Sequence, residues 1–81
     1  MNNRAILFVF AIQPADAPLK RIINFTIATS LIQTEGHATF DYAHSFQSNL
    51  TALKAAAIAA IVAAGGPTLQ STDIEAVNWK S

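Results

Sequence analysis

The sequence of 81 residues has no cysteine, one methionine, one tryptophan and few charged side chains. Without cysteine, the chain can form neither a disulfide nor a Cys-ligated zinc site, which excludes the small disulfide-stapled scaffolds. Charged residues make up 12% of the chain and cancel to a net charge of zero. Because nucleic-acid binding requires a basic surface, the sequence predicts no direct nucleic-acid partner.

Hydrophobic residues make up 52% of the sequence, a share that excludes a disordered chain. The length fits one domain, and we expect residues 1–81 to form it. A domain of this size buries only about 60–65% of the surface of its unfolded chain, so its own core is marginal.

The first apolar segment resembles a signal peptide, because Arg4 precedes the run Ala5–Ile12 and Ala15-Asp16-Ala17 could form a cleavage site. Pro18 directly after that site is unfavourable for cleavage. The run is also much shorter than the ~20 residues that cross a bilayer. We therefore expect a buried strand over Ala5–Ile12, and no cleaved signal peptide.

Two alternating segments follow and predict a β-hairpin. Leu19–Gln33 and His37–Gln47 both alternate apolar and polar residues, which is typical of strands with one buried face. Thr34-Glu35-Gly36 lies between them and is the expected turn.

An alanine-rich segment, Leu50–Ala64, predicts a helix because alanine has the highest helix propensity. Ser48-Asn49 is the expected N-cap, and Gly65-Gly66-Pro67 is the expected stop. At 1.5 Å per residue this helix spans about 22 Å, too short for a transmembrane helix. A last strand is expected over Ile74–Lys80, with Ile74 and Ala76 on one face and Val77 and Trp79 on the other.

These elements predict a two-layer α+β fold with the order β-β-β-α-β. We expect a four-stranded mixed sheet, with the alanine-rich helix on one face. The fourth strand is expected beside the first, which gives the order 4-1-2-3 with a right-handed crossover.

The residue types that carry chemistry do not form a recognisable site. His37 and Asp41 share a strand face while His44 points to the other face, so the three cannot converge on a metal ion. Asp73 and Glu75 are better explained by a turn and a strand surface than by a catalytic carboxylate pair. No nucleophile motif or phosphate-binding glycine loop is present. We predict no catalytic, cofactor-binding or metal-binding residue and no enzyme activity.

The predicted fold leaves an excess of apolar surface, because one helix covers only one face of a sheet whose first strand is apolar on both faces. Large exposed apolar patches mark interaction sites, and a net charge near zero favours association. We therefore predict protein partners, in a homo-oligomer or a larger hetero-assembly. The candidate interface residues are Leu7, Val9, Ala52, Ala56, Ala60, Ala63, Val77 and Trp79.

Over its whole length the chain resembles the small accessory virion proteins of tailed bacteriophages. The shared features are a short cysteine-free chain, hydroxyl- and amide-rich strands, an alanine-rich helix and few charges. The resemblance implies a structural component of the capsid, neck or tail, located in the virion. Two other classes stay open: a small regulatory or inhibitory protein-binding module in the cytoplasm, and a small oligomeric enzyme or ligand carrier with a pocket between subunits near His44 and Tyr42.

Overall fold

The computed structural model describes residues 4–10 and 20–80. Its strands are β1 (Ala5–Phe10), β2 (Lys20–Ala28), β3 (Gln33–Asp41) and β4 (Ile74–Lys80). One helix, α1 (Phe46–Ala63), lies between β3 and β4, and a short 3-10 helix, Ser71–Asp73, precedes β4. The predicted α+β fold with a four-stranded mixed sheet is confirmed.

The strands lie in the order β3-β2-β1-β4, which is the predicted order. β2 is antiparallel to both of its neighbours, whereas β4 runs parallel to β1. The chain therefore leaves one edge of the sheet at β3, forms α1, and returns to the opposite edge at β4. Because α1 connects the two edge strands, it must cross one face of the sheet.

The core lies between one face of the sheet and α1. The strands contribute alternate residues, because successive side chains of a strand point to opposite faces. α1 contributes three fully buried residues at helical spacing, Leu53, Ala57 and Ile61. The remaining buried apolar residues are Ala5, Leu7, Val9, Ile23, Phe25, Ile27, Phe40, Leu69 and Ile74.

The turn between β2 and β3 lies earlier than expected, at residues 29–32. The Thr29 N–H donates to the carbonyl oxygen of Ile32 at 2.7 Å. Its hydroxyl oxygen accepts the N–H groups of Leu31 at 3.2 Å and Ile32 at 3.0 Å. A threonine hydroxyl thus closes the turn, and the predicted turn at Thr34-Glu35-Gly36 is wrong because these residues belong to β3.

Gly36 is needed in β3 for space. It pairs with Phe25 across the strands, and a Cβ at this position would lie 2.8 Å from the tip of the Phe25 ring. The glycine lets the ring lie against the strand backbone. The glycine that suggested a turn is therefore required by the packing of the Phe25 ring.

α1 begins four residues earlier than expected, and β3 ends at Asp41 instead of Gln47. Ser45 is the N-cap, since its side-chain oxygen accepts the N–H of Ser48 at 3.1 Å. The predicted cap residues Ser48 and Asn49 both lie inside the helix. An exposed loop with His44 therefore replaces the end of the predicted strand.

The predicted helix stop is confirmed. Gly65 has a φ of 90°, which glycine adopts without strain. The N–H groups of Gly65 and Gly66 donate to the carbonyl oxygens of Val62 and Ile61 at 3.0 and 2.8 Å. These two bonds satisfy the last carbonyls of the helix in the pattern of a Schellman motif.

β4 has the predicted bounds, Ile74–Lys80, but its first residues face differently from the prediction. Ala5 pairs with Ile74 and the next residue, Ile6, pairs with Ala76, so the register shifts by one residue at Glu75. Because of this bulge, Ile74 lies on the same face as Val77 and Trp79 and is buried against the core.

Candidate interaction surface

The strand register divides the sheet into a face covered by α1 and an open face. Leu7 and Val9 pair with Ile27 and Phe25 on β2, all four are buried, and they lie on the covered face. The neighbours that alternate with Leu7 and Val9 therefore lie on the open face. These are Ile6, Phe8 and Phe10.

Leu7 and Val9 were expected at an interface, and the structure places them in the core with no exposed area. A partner could reach them only if α1 left the sheet. The expectation assigned the wrong set of β1 side chains to the surface, because both sets are apolar and β1 alone does not indicate which is covered.

The open face carries an apolar stripe along the strand β1, which lies inside the sheet. Ile6 is 49% exposed, and the rings of Phe8 and Phe10 lie 4.7 Å apart between their centroids. On the neighbouring strand, Ile22 is 69% exposed and lies on the same face, since its partner in β3 is the exposed Thr39. We call these four residues, Ile6, Phe8, Phe10 and Ile22, the open-face stripe.

Polar side chains flank the stripe on both sides. On β2 and β3 the open-face positions near it include Thr26 and its partner Glu35. On β4 the partners of Phe8 and Phe10 are Asn78 and Lys80. The open face therefore has an apolar centre and a polar margin that includes charged residues of both signs.

Val77 and Trp79 lie on the covered face at the β4 edge. They pair with Leu7 and Val9, and both are half-buried against the core. The ring of Trp79 lies 5.0 Å from that of Phe46 at the start of α1. α1 packs chiefly on β3 and β2, so these two side chains are covered less completely than their neighbours.

The four candidate alanines of α1 do not form one exposed surface. Ala52 and Ala63 are exposed, whereas Ala56 and Ala60 are half-buried and pack against the core. The exposed back of α1 combines two of these alanines with other residues. It includes Ala52, Ala55, Ala59, Val62 and Ala63.

A groove of about 280 Å³ runs along one side of α1. Its volume is slightly below the roughly 300–1,000 Å³ of small-molecule pockets. The lining residues are Gln47, Leu50, Thr51, Lys54, Ala55, Ile58 and Ser71. His44 and Tyr42, where a pocket between subunits was considered, do not line it.

Two close contacts between titratable side chains are exposed or partly exposed. The imidazole Nε2 of His44 lies 3.3 Å from a carboxylate oxygen of Asp41, so the expectation that these two residues point apart is wrong. Arg4 and Glu75 form the second pair at 3.2 Å. Within residues 4–10 and 20–80, no three His, Cys, Asp or Glu residues form a group that could hold a metal ion.

α1 is three residues longer than expected, because it begins at Phe46. Over its 18 residues the mean hydropathy is 1.3, and 22% of them are buried. By length and composition alone, the helix is thus sufficient to cross a membrane. In this fold, Leu53, Ala57 and Ile61 hold it against the sheet.

The open-face stripe is the surface feature that sequence reasoning missed. The alternation in β1 contained the signal, but only the pairing of Phe8 with the polar position Thr26 shows which alternate set faces outward. Comparison of the chain with protein-family models, with curated proteins and with solved structures gives no match.

Proposed function

We propose that this chain is a non-enzymatic structural protein that assembles with other protein subunits through the open face of its sheet. The observation that supports the proposal is the open-face stripe, which lies on an interior strand and has polar side chains around it. Protein interfaces have this arrangement, with an apolar centre and a polar rim. An exposed apolar patch of this kind on a small domain marks an interaction site.

The energetics favour association but indicate that the stripe is only part of the contact. Each 100 Å² of apolar surface removed from water contributes about 2.5 kcal/mol. Association costs about 4–15 kcal/mol in lost translational and rotational freedom. Burying about 200–300 Å² of apolar surface on each of two subunits would therefore contribute about 10–15 kcal/mol, which is comparable with this cost, so contacts at the margin decide whether the assembly is stable.

The charge distribution supports close approach of another subunit. The net charge is zero, and the stripe residues themselves carry no charge. A partner therefore meets little long-range repulsion, and few charged groups need to lose water at the centre of the contact.

For the assembly itself, we propose a capsid, neck or tail component of a tailed bacteriophage, located in the virion. This proposal relies on the resemblance in composition, and its partners are copies of this chain or other virion subunits. A regulatory or inhibitory binding module would use the same stripe, but it would bind one partner as a free cytoplasmic protein. A high, constant copy number in a purified particle distinguishes the two.

The proposal is tested with the double variant Ile6→Lys/Ile22→Lys, which adds charge at the two most exposed positions of the stripe. We expect wild type to associate as its concentration rises, and the double variant to sediment with a clearly lower mass. Both positions are substantially exposed, so the variant should retain the wild-type circular dichroism spectrum.

The matched control is Ala55→Lys/Ala59→Lys, which adds the same charge to the exposed back of α1. It should associate like wild type in sedimentation velocity. A wild-type chain that sediments as a monomer at every concentration would overturn assembly between copies of this chain, and equal masses for wild type and the stripe variant would overturn the role of the open face.

A further inference from the structure

We infer that two copies of this chain join through β4, paired antiparallel about a two-fold axis at Asn78, so that two sheets form one sheet of eight strands. The inference rests on the proposed assembly function, because it names a second copy as one partner. It concerns the edge of the sheet, whereas the proposed function concerns its open face.

The first observation is that β4 is an edge strand with one unpaired side. Its only neighbour in the described sheet is β1, so its outer N–H and C=O groups have no strand partner there. An unpaired edge is a template for another strand, and soluble proteins protect such edges with prolines, inward charges or a covering helix. Bulges and charged side chains protect edges as well, and in β4 the bulge lies at the first residues and Lys80 at the last. Between them β4 contains no proline and no charge, and α1 packs chiefly on the other half of the sheet.

The second observation is the side-chain content of β4 compared with that of the other edge, β3. β4 carries Val77 and Trp79, residue types that favour strands, both only half-buried. β3 has Gly36 at its centre and polar residues at its open-face positions, and α1 covers its other face. Pairing with another strand would therefore bury more apolar side-chain surface at β4 than at β3.

The bulge decides the register. In an antiparallel pair around a two-fold axis perpendicular to the sheet, residues directly opposite must lie on the same face, so the axis passes midway between one residue and the same residue of the other copy. An axis at Ala76 or Val77 would involve Ile74, which the bulge has turned to the covered face, opposite an open-face residue of the other copy. An axis at Asn78 pairs residues 76–80, all of which lie beyond the bulge, whereas an axis at Trp79 would pair only residues 78–80 of β4.

At that register every opposed pair is compatible. The two Asn78 amides face each other at the axis and can exchange hydrogen bonds. Val77 of each copy lies opposite Trp79 of the other, and such aromatic to β-branched pairs stabilise sheets. Lys80 lies opposite Ala76, so no like charges meet.

Because the chain has no cysteine, a single introduced thiol tests this geometry directly. Asn78→Cys places two thiols opposite each other, with Cβ atoms about 4.5–5.5 Å apart. We expect oxidised glutathione to convert this variant into a covalent dimer at least tenfold faster than Thr39→Cys, measured on non-reducing gels. Thr39 is the matched control, being exposed on the open face of the other edge strand.

Ala76→Cys tests the register, since the two Ala76 positions would be offset by four residues, or about 13 Å along the strand. That exceeds disulfide reach, so this variant should cross-link as slowly as Thr39→Cys. An equal mixture of Ala76→Cys and Lys80→Cys chains should cross-link fast, and it serves as the test if Asn78→Cys does not fold.

Cross-linking of Asn78→Cys no faster than that of Thr39→Cys would overturn the edge pairing, and fast cross-linking of Ala76→Cys alone would overturn the register. Neither result affects the proposed function, which depends on the sedimentation of the open-face variant. Conversely, fast cross-linking at Asn78 with no effect of Ile6→Lys/Ile22→Lys would support the edge dimer and reject the open face.

Discussion

At the scale of single residues, Asn49 is the polar group on which the local architecture depends. It is buried, and its Oδ1 accepts the N–H of Asp41 at 2.8 Å. Its Nδ2 donates to the carbonyl oxygens of Asp41 at 2.9 Å and Ser45 at 3.0 Å. One side chain in the first helical turn therefore joins the end of β3 to the start of α1.

Replacing Asn49 by alanine should lower the free energy of unfolding by about 1–3 kcal/mol, because the Asp41 N–H then loses its acceptor in a partly buried position. Urea denaturation, followed by circular dichroism at a low protein concentration, measures the change. Gln47→Ala, an exposed change in the same turn, should alter stability by less than about 0.5 kcal/mol. Equal effects of the two substitutions would contradict the role of Asn49.

At the scale of elements, α1 derives its helicity from alanine and its boundaries from the residues at its ends. Alanine loses no side-chain entropy in a helix and makes a long apolar segment helical without charged pairs. Ser45 begins the helix and the two glycines end it. The same small side chains let α1 approach β3, where Ala56 and Ala60 pack against the core.

The location of the N-cap gives a prediction that separates two neighbouring serines. Ser45→Ala should destabilise the protein by about 1 kcal/mol, because the N–H of Ser48 loses its acceptor. Ser48→Ala should cost less than about 0.5 kcal/mol, since this exposed hydroxyl bonds only the Ser45 hydroxyl among the described contacts. Thermal unfolding of both variants measures the difference, and a larger loss for Ser48→Ala would place the cap where the sequence alone suggested.

At the scale of the whole molecule, a single helix leaves half of the sheet surface open. The core is confined to the layer between α1 and the covered face, and the open-face stripe lies on the other side of β1. A chain of this size buries a small core, so under the proposed assembly the contacts between subunits would contribute a large share of the stability.

The apparent stability should therefore depend on concentration. If association is linked to folding, the midpoint of thermal unfolding should rise by about 3–5 °C for each tenfold increase in chain concentration. Differential scanning fluorimetry over a hundredfold range measures this slope. Ile6→Lys/Ile22→Lys should flatten it while Ala55→Lys/Ala59→Lys retains it, and a flat slope for wild type would contradict the linkage.

The sequence predicted that an apolar surface exists but not which residues form it. The excess of apolar side chains was evident from β1 and the alanine-rich segment. The identities of the exposed members were not, because Leu7 and Val9 are buried and Ile6, Phe8 and Phe10 lie on the open face. Two of the candidate alanines, Ala56 and Ala60, belong partly to the core.

The sequence by itself determined the features that depend on neighbouring residues: the presence of the helix, its stop at Gly65-Gly66 and the bounds of β4. The predicted order of the strands, which the structure confirms, came from the connections between the elements. These follow from propensity, glycine conformation and the length of the connections. Only the tertiary structure decided which face of β1 is covered, why Gly36 lies within a strand, and how the bulge at Glu75 turns Ile74 inward. These features depend on contacts between segments distant in the chain, and one residue of register reverses the face on which every side chain of a strand lies.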